Sequence, residues 1–407
     1  MSVGPTAPSA DLTALAEASN ARWREAGLER NAATFAAAQT AHTTLSSTDA
    51  PSREIELFSS SNYLGLAEHP QVTAAAIDAI NSYGVGSGGS RLTTGTTCQH
   101  TALEHDLASI FGAPAAVFFT TGYQANLATI TVLAELAAST NEPVTIFSDA
   151  LNHASIIDGC RMASRTVASI STKIFPHRNY DVLAEQLASR GLGRALIISD
   201  GVFSMDGDVA DLPKLQELAR VHRAWLMIDD AHGVGTLGET GRGIAEHFGT
   251  DLPDILVGTA SKALGVEGGF VLASAPVAHL LRNRARSYIF STAAPAAVPA
   301  AVRAALRLVP SHVGRLQHNA LRLRQLLYDV GVLPSAAGDG PIIVVPIGDE
   351  TVAMTVAEQL RAAGFFIPAI RYPTVRRGEA ILRITVMASH SEQQLSALAA
   401  ELGRLLR

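Results

Sequence analysis

Chemistry-bearing residues collect where short apolar runs end. The run Ala195–Ser199 is followed by Asp200, Trp225–Asp229 by Asp230-Ala231-His232-Gly233, and Ile255–Gly258 by Thr259-Ala260-Ser261-Lys262. In an open parallel sheet, ligands bind beyond the carboxyl ends of the strands. Such a sheet would bring an acid, an Asp/His pair and a lysine to one edge. Polar residues at one strand end mean little; three in succession carry weight. A metal site built from Asp229, Asp230 and His232 fits poorly, because the nearby lysine repels a cation and no further ligand set is evident. Pyridoxal phosphate fits better, since it needs a lysine to hold it as an imine and a carboxylate against its pyridinium nitrogen. Asp229 would favour the protonated ring by charge pairing, and His232 would reach the phenolic oxygen. Thr120-Thr121-Gly122-Tyr123 follows one apolar run and precedes a helical one, so backbone amides there are a candidate cradle for the phosphate.

The elements that would position these groups follow from the apolar pattern. Strands are expected at Ala115–Phe119, Val144–Phe147, Ala195–Ser199, Trp225–Asp229, Ile255–Gly258 and Phe270–Ala273, with helices between them at Asn126–Ala138, Val182–Ser189 and Leu215–Arg220. Apolar strands alternating with helices predict a mostly parallel sheet with helices on both faces. Beyond residue 295 the pattern predicts one or two helices over Pro299–Val330, a strand at Ile342–Ile347, a helix at Val352–Ala363 and a strand at Leu382–Val386. A last helix would be opened by the capping box Ser389-x-x-Glu392. The expected division is an N-terminal arm with a helix (1–65), a large α/β domain (66–295) and a small C-terminal α+β domain (296–407). The segment Gly84-Val-Gly86-Ser-Gly88-Gly89 satisfies G-x-G-x-x-G, yet a helical pattern precedes it and a polar turn follows. The dinucleotide motif requires a strand before it and a helix opening at it, so a loop over a site is the better reading.

Composition narrows the partners. The 407 residues are 47% hydrophobic and carry a net charge of -6, enough apolar matter for a buried core and the wrong sign for nucleic acid as main partner. Aromatic residues make up only 5%, leaving little for base stacking. Cys98 and Cys160 lack partners at metal-ligand spacing and read as small core residues. No basic start precedes an apolar run, and no apolar stretch is long enough to span a bilayer, so a soluble cytoplasmic protein without a membrane segment is expected. His100, His105, His177 and His222 read as surface or core-edge residues. Arg282, Arg284 and Arg286 read as a solvated basic face.

The chain resembles the α-oxoamine synthase family of fold-type I pyridoxal-phosphate enzymes. The segments that carry the likeness are SSSNYLGL (59–66), GVGSGGSR (84–91), TTGYQANLA (120–128), LNHASIIDG (151–159), SDGVFSMDGD (199–208), IDDAHGVGTLGETGRG (228–243), GTASKALGVEGGFV (258–271), IRYPTV (370–375) and LRITVMASH (382–390). They run in family order over most of the chain. The resemblance implies that Lys262 carries the cofactor and then moves the α-proton, that Asp229 and His232 hold the ring nitrogen and phenolic oxygen, and that His153 stacks over the ring. It further implies phosphate-side contacts from Gly122 and Tyr123, hydroxyl contacts from Ser204 and Thr259, a carboxylate grip by Arg383 and a substrate contact by Thr374. An N-terminal arginine near the acyl substrate is expected, with Arg30 chosen over Arg24. Asp200 stands where some relatives carry glutamate, keeping the charge on a shorter arm. The implied reaction is a decarboxylative condensation of an amino acid, expected to be L-alanine, with an acyl thioester, expected to be pimeloyl on coenzyme A or an acyl-carrier protein, in a homodimer. Glycine C-acetyltransferase, 5-aminolevulinate synthase and serine palmitoyltransferase share this machinery, so the substrates stay open among them.

Overall fold

The computed structural model describes residues 11–30, 32–46, 51–140 and 142–406. Helix α1 (Leu12–Glu25) leads to the short strands β1 (Thr34–Phe35), β2 (His42–Ser46) and β3 (Arg53–Leu57), followed by α2 (Pro70–Tyr83) and α3 (Cys98–Phe111). Strands and helices then alternate: β4 (Ala115–Phe119), α4 (Gly122–Ala138), β5 (Val144–Asp149), α5 (Ala154–Thr166), β6 (Ile170–Phe175), α6 (Tyr180–Ala188) and β7 (Arg194–Asp200). Next come α7 (Leu212–His222), β8 (Trp225–Asp229), α8 (Ile244–Phe248), β9 (Ile255–Thr259) and β10 (Gly269–Ala273). Helices α9 (Ala275–Arg284), α10 (Arg286–Ile289) and the 33-residue α11 (Ala297–Asp329) lead to β11 (Ile342–Gly348) and α12 (Glu350–Ala362). The chain closes through β12 (Phe365–Phe366), β13 (Ala369–Ile370), β14 (Ala380–Thr385) and α13 (Glu392–Leu405). Among the described residues no helix is long and apolar enough to cross a membrane.

The central sheet has seven strands in the order β4-β10-β9-β8-β7-β5-β6. Alternation along each strand supplies two apolar faces. Phe118, Phe147, Ile197, Ile228 and Leu256 enter one core, and Val117, Ile146, Ile198, Met227 and Val257 enter the other. Only β10 runs against its neighbours, antiparallel to both β9 and β4. The connection Ala260–Gly268 is too short for a crossover helix, so the chain must double back. That return leaves Lys262 at the carboxyl end of β9, on the edge where β7 and β8 also finish. The register sets Asp200 directly beside Asp229.

Several local expectations change. Strand β6 has no apolar signature because it is an edge strand with only its first and last residues buried. Helix α4 begins at Gly122 rather than Asn126, since the Thr121 side chain accepts from Gln124 N at 3.1 Å and caps it. The stretch Pro299–Val330 forms one helix, α11, despite Pro310 inside it. Of the polar stretch around Thr43–Ser52, residues 43–46 belong to β2, which pairs with β3, and β3 in turn pairs in parallel with β12; residues 47–50 lie outside the described residues. Cys160 is buried but Cys98 is exposed at the start of α3. Arg282 is no solvated charge: it binds the buried Glu104 at 2.9 Å and the Ala116 carbonyl at 2.7 Å.

The capping box is also displaced. Helix α13 is opened by Ser391 and Gln394, two residues later than Ser389 and Glu392. The cause is His390, wholly buried and stacked on Phe58 with ring centres 4.0 Å apart. Its Nδ1 accepts from Met387 N at 2.9 Å, so its Nε2–H donates to the Leu57 carbonyl at 3.2 Å. The chain cannot enter a helix until that turn is complete.

Burial pushes the His390 imidazole down to about 4. A histidine held neutral in the fold but free to protonate near about 6.5 when unfolded stabilises the protein above that pH. The contribution is lost as pH falls from there through about 4. The full effect is on the order of 3 kcal/mol. Urea melts between these limits should show stability falling with acid, and His390→Gln should have a shallower slope than the parent. Identical slopes would remove His390 as the source.

Candidate active site

A cleft of about 270 Å³ opens at the carboxyl edge of the central sheet. Gly122, Tyr123, His153, Ser204, Asp229, His232, Thr259 and Lys262 line it, together with Thr121, Asn126, Ser155, Asp200 and Ser261. Each comes from a strand end or the start of the next element. Asp229 closes β8, Asp200 closes β7, and Thr259 closes β9 just before the loop bearing Lys262. Gly122 and Tyr123 are the first residues of α4, and His153 is the N-cap of α5.

Asp229 is the fixed point. It is buried, its Oδ2 accepts from Asn126 Nδ2 at 2.6 Å, and its Oδ1 accepts from Ala231 N at 3.0 Å. Asn126 also donates to Ser155 Oγ at 2.8 Å. Among the described residues no cation lies within ion-pair distance of Asp229, and a buried carboxylate is costly without a positive partner. A protonated ring nitrogen in the cleft would supply one.

The start of α4 forms the second anchor. Thr121 caps Gln124 N, leaving the Gly122 and Tyr123 amides for an anion at the positive end of the helix. The backbone approaches the sheet closely here. A Cβ on Gly269 would lie 2.5 Å from the Gly122 backbone, and one on Gly122 would press on Thr259 at 3.3 Å. The Thr259 hydroxyl donates to Gly268 O at 2.7 Å and lies 2.8 Å from Ser261 Oγ. The cleft therefore offers a carboxylate at one end and free amides with hydroxyls at the other, which fits a flat cationic ring carrying a phosphate.

The site weakens the hold of its lysine and its two imidazoles on a proton. Desolvation lowers the Lys262 amine, against the pull of Asp229 and Asp200. Burial takes His232 well below the usual histidine range, reinforced by the charges of Lys262 and Arg383. Partial desolvation also lowers His153, with Asp229 opposing. Burial raises Asp200, and neighbouring Asp229 raises it further. The shorter arm of Asp200 is spent locally: Oδ2 accepts from His153 N at 3.2 Å, while Oδ1 is buried with no hydrogen-bond partner among the described residues. His153 does two things. Its Nδ1 accepts from Ser155 N at 3.3 Å to cap α5, and its ring meets Tyr123 edge-on, the centres 6.4 Å apart.

Arg383 stands on β14 at the boundary of the cleft, its Nε donating to Ser204 O at 2.6 Å and its Nη1 to Thr385 Oγ1 at 3.3 Å. Arg30 and Thr374 are not among the lining residues; they bind each other, Arg30 Nη2 to Thr374 Oγ1 at 2.9 Å. Arg371 grips the carbonyls of Gly27 and Glu29 on the same N-terminal segment. His177, read as a surface or core-edge residue, sits half-buried between Asp149 at 3.0 Å and Asp208 at 3.4 Å. The G-x-G-x-x-G segment follows the end of α2 at Gly84 and opens no helix. Among the described residues no cluster of three or more potential ligands could hold a metal ion.

Sequence reasoning missed Asn126 and Tyr63. Asn126 had a signal: it is a polar residue one turn into an apolar helix, on the face that must be buried. Tyr63 reads as core, and only its hydroxyl, 2.7 Å from His232 Nδ1, ties it to the site. Substituting Asn126→Asp would place two carboxyl groups at the present amide contact, so they would share a proton. Thermal melts should show a penalty that grows as pH rises above about 4, the unfolded aspartate value, whereas Asn126→Ala should cost a pH-independent 1–3 kcal/mol or so. Matching pH profiles would detach Asn126 from Asp229.

Residues 53–402 match the family described as aminotransferase class I and II. The Biotin biosynthesis bifunctional protein BioWF of Corynebacterium kroppenstedtii is 48% identical over 95% of this chain, and the chain spans 58% of that protein. The 8-amino-7-oxononanoate synthase of Geobacter sulfurreducens is 45% identical over 94% of the chain and 95% of its own length. Among solved structures, serine palmitoyltransferase from Sphingomonas wittichii superposes with a TM-score of 0.87 at 31% identity, covering 97% of this chain and 98% of that one. The enzyme from S. paucimobilis, solved with bound PLP–myriocin aldimine, gives 0.86 at 28% over the same shares. These matches extend across the cleft and the elements that build it, and the chain belongs to the aminotransferase class I and II family, on its α-oxoamine synthase branch.

Proposed function

We propose that the chain is an 8-amino-7-oxononanoate synthase of biotin biosynthesis, working with pyridoxal 5'-phosphate in the cleft described above. It would condense L-alanine with a pimeloyl thioester of coenzyme A or an acyl-carrier protein and release CO2 and the free thiol. The observation that carries this reading is the convergence of Lys262, Asp229, His232 and the α4 amides on one cleft. Identity of 45% to a synthase of that name over nearly its whole length supports the substrates.

In this reading Lys262 holds the cofactor, Asp229 faces the ring nitrogen, His232 the phenolic oxygen and His153 the ring face. Gly122 and Tyr123 hold the phosphate through their amides, with the hydroxyls of Ser204 and Thr259 close by. The bound ring supplies an electron sink for charge left on the α-carbon. The protein's own groups do the rest. Arg383, with Nε and Nη1 already fixed, has Nη2 to offer the amino-acid carboxylate. Lys262, its affinity for a proton reduced by desolvation, takes the α-proton at Nζ and returns one at the end. Thr374 and Arg30 would meet the acyl substrate from the segment they join.

The assembly is read as a cytoplasmic homodimer with the glycine-rich segment 84–90 near the partner. Val85 and Phe290 are 80% and 72% exposed, and their segments adjoin through Ala293 N and Gly89 O at 2.9 Å. Exposed apolar side chains beside a cleft support a protein contact there. Sedimentation should give twice the monomer mass, and Phe290→Asp should shift it toward monomer; a monomeric parent protein would overturn the dimer.

Two further measurements test the chemistry. Borohydride should fix a pyridoxyl label on Lys262, and Lys262→Ala should lose both the label and about 10³-fold or more in turnover. Thiol release should be greatest for L-alanine with pimeloyl-CoA across a matrix of alanine, glycine and serine against acyl-CoAs. A maximum with serine and a long-chain acyl-CoA would reassign the substrates, as the serine palmitoyltransferase likeness allows.

A further inference from the structure

Tyr63 is wholly buried and held by its backbone, whose carbonyl accepts from Ala388 N at 2.7 Å. It lies behind His232 rather than in the cleft, with its hydroxyl 2.7 Å from His232 Nδ1. Among the described residues His232 Nδ1 is the one hydrogen-bond partner of the phenol oxygen, and burial raises the phenol above its usual range, so it keeps its proton. If His232 Nδ1 carried the proton and donated to the phenol oxygen, the phenol's own proton would be buried with no acceptor among the described residues, a costly arrangement. The phenol proton therefore goes to His232 Nδ1 at 2.7 Å. Burial and the flanking charges of Lys262 and Arg383 keep His232 uncharged, and a neutral imidazole carries a single N–H.

We propose that Tyr63 is a positioning residue that fixes His232 as the Nε2–H tautomer, turning it into a hydrogen-bond donor towards an anionic oxygen in the cleft. Without the phenol either nitrogen could hold the proton, and the imidazole could present a lone pair to that oxygen instead. The identity of the anionic oxygen rests on the cofactor reading above; the tautomer does not.

Nitrogen NMR of holoenzyme labelled with ¹⁵N-histidine tests the proposal, with His232→Gln identifying the resonances. In the parent protein Nε2 should be protonated and Nδ1 should accept a hydrogen bond. In Tyr63→Phe, which keeps the ring in its pocket, the two nitrogens should move towards an averaged mixture, and pyridoxal phosphate should dissociate about tenfold more readily. A parent protein with its proton on Nδ1 would overturn the proposal without any variant, as would an unchanged tautomer in Tyr63→Phe. Borohydride labelling at Lys262 reports separately on the cofactor reading. A missing label beside an Nε2–H tautomer would sink that reading and leave Tyr63 in its role.

Discussion

Withdrawing a carboxylate from water costs several kilocalories per mole unless hydrogen bonds and a positive partner compensate, and Asp229 imposes that condition at the centre of this protein. Its two oxygens are met by Asn126 and Ala231 N. Asn126 can reach it only if α4 starts where it does and lies flat on the sheet, which in turn requires the bare backbone of Gly269 under Gly122. The β7–β8 register then brings Asp200 alongside. The place of one buried charge thus constrains a helix start, a glycine contact and a strand register.

Much of this was legible because the central strands are buried on both faces, and a continuous apolar run ending in charge is easy to see. Ala115–Phe119 and Trp225–Asp229 were delimited as they stand. What escaped did so for identifiable reasons. Strand β6 sits at an edge and keeps polar residues. Strand β3 draws its second partner, β12, from the far end of the chain, which periodicity cannot register. Two overlapping boxes, Ser389 to Glu392 and Ser391 to Gln394, are equally good locally, and a buried histidine chooses between them. The arginine at 282 looked like part of a run, but its carboxylate partner lies far back in sequence at Glu104.

His153 shows why the helix-cap and ring-stacking readings of a loop histidine need not compete. Capping α5 through Nδ1 fixes the ring's direction, and a fixed ring on the lip of a cleft is what a stacking partner requires. Asp200 steadies the same residue from its backbone side. Stabilising a helix end and presenting a flat surface are one arrangement here.

The sheet shared by β1–β3 and β12 has a consequence for biogenesis. Its strands lie about three hundred positions apart, and Thr385 N bonds Phe58 O across the same gap. Contacts so distant in sequence form slowly because a long loop must close first. A nascent chain leaving the ribosome can assemble the seven-stranded sheet early, whereas the outer edge of β3 must wait for β12 in the last hundred residues. During that interval the edge is open, and a chaperone or a neighbouring nascent chain would find it there.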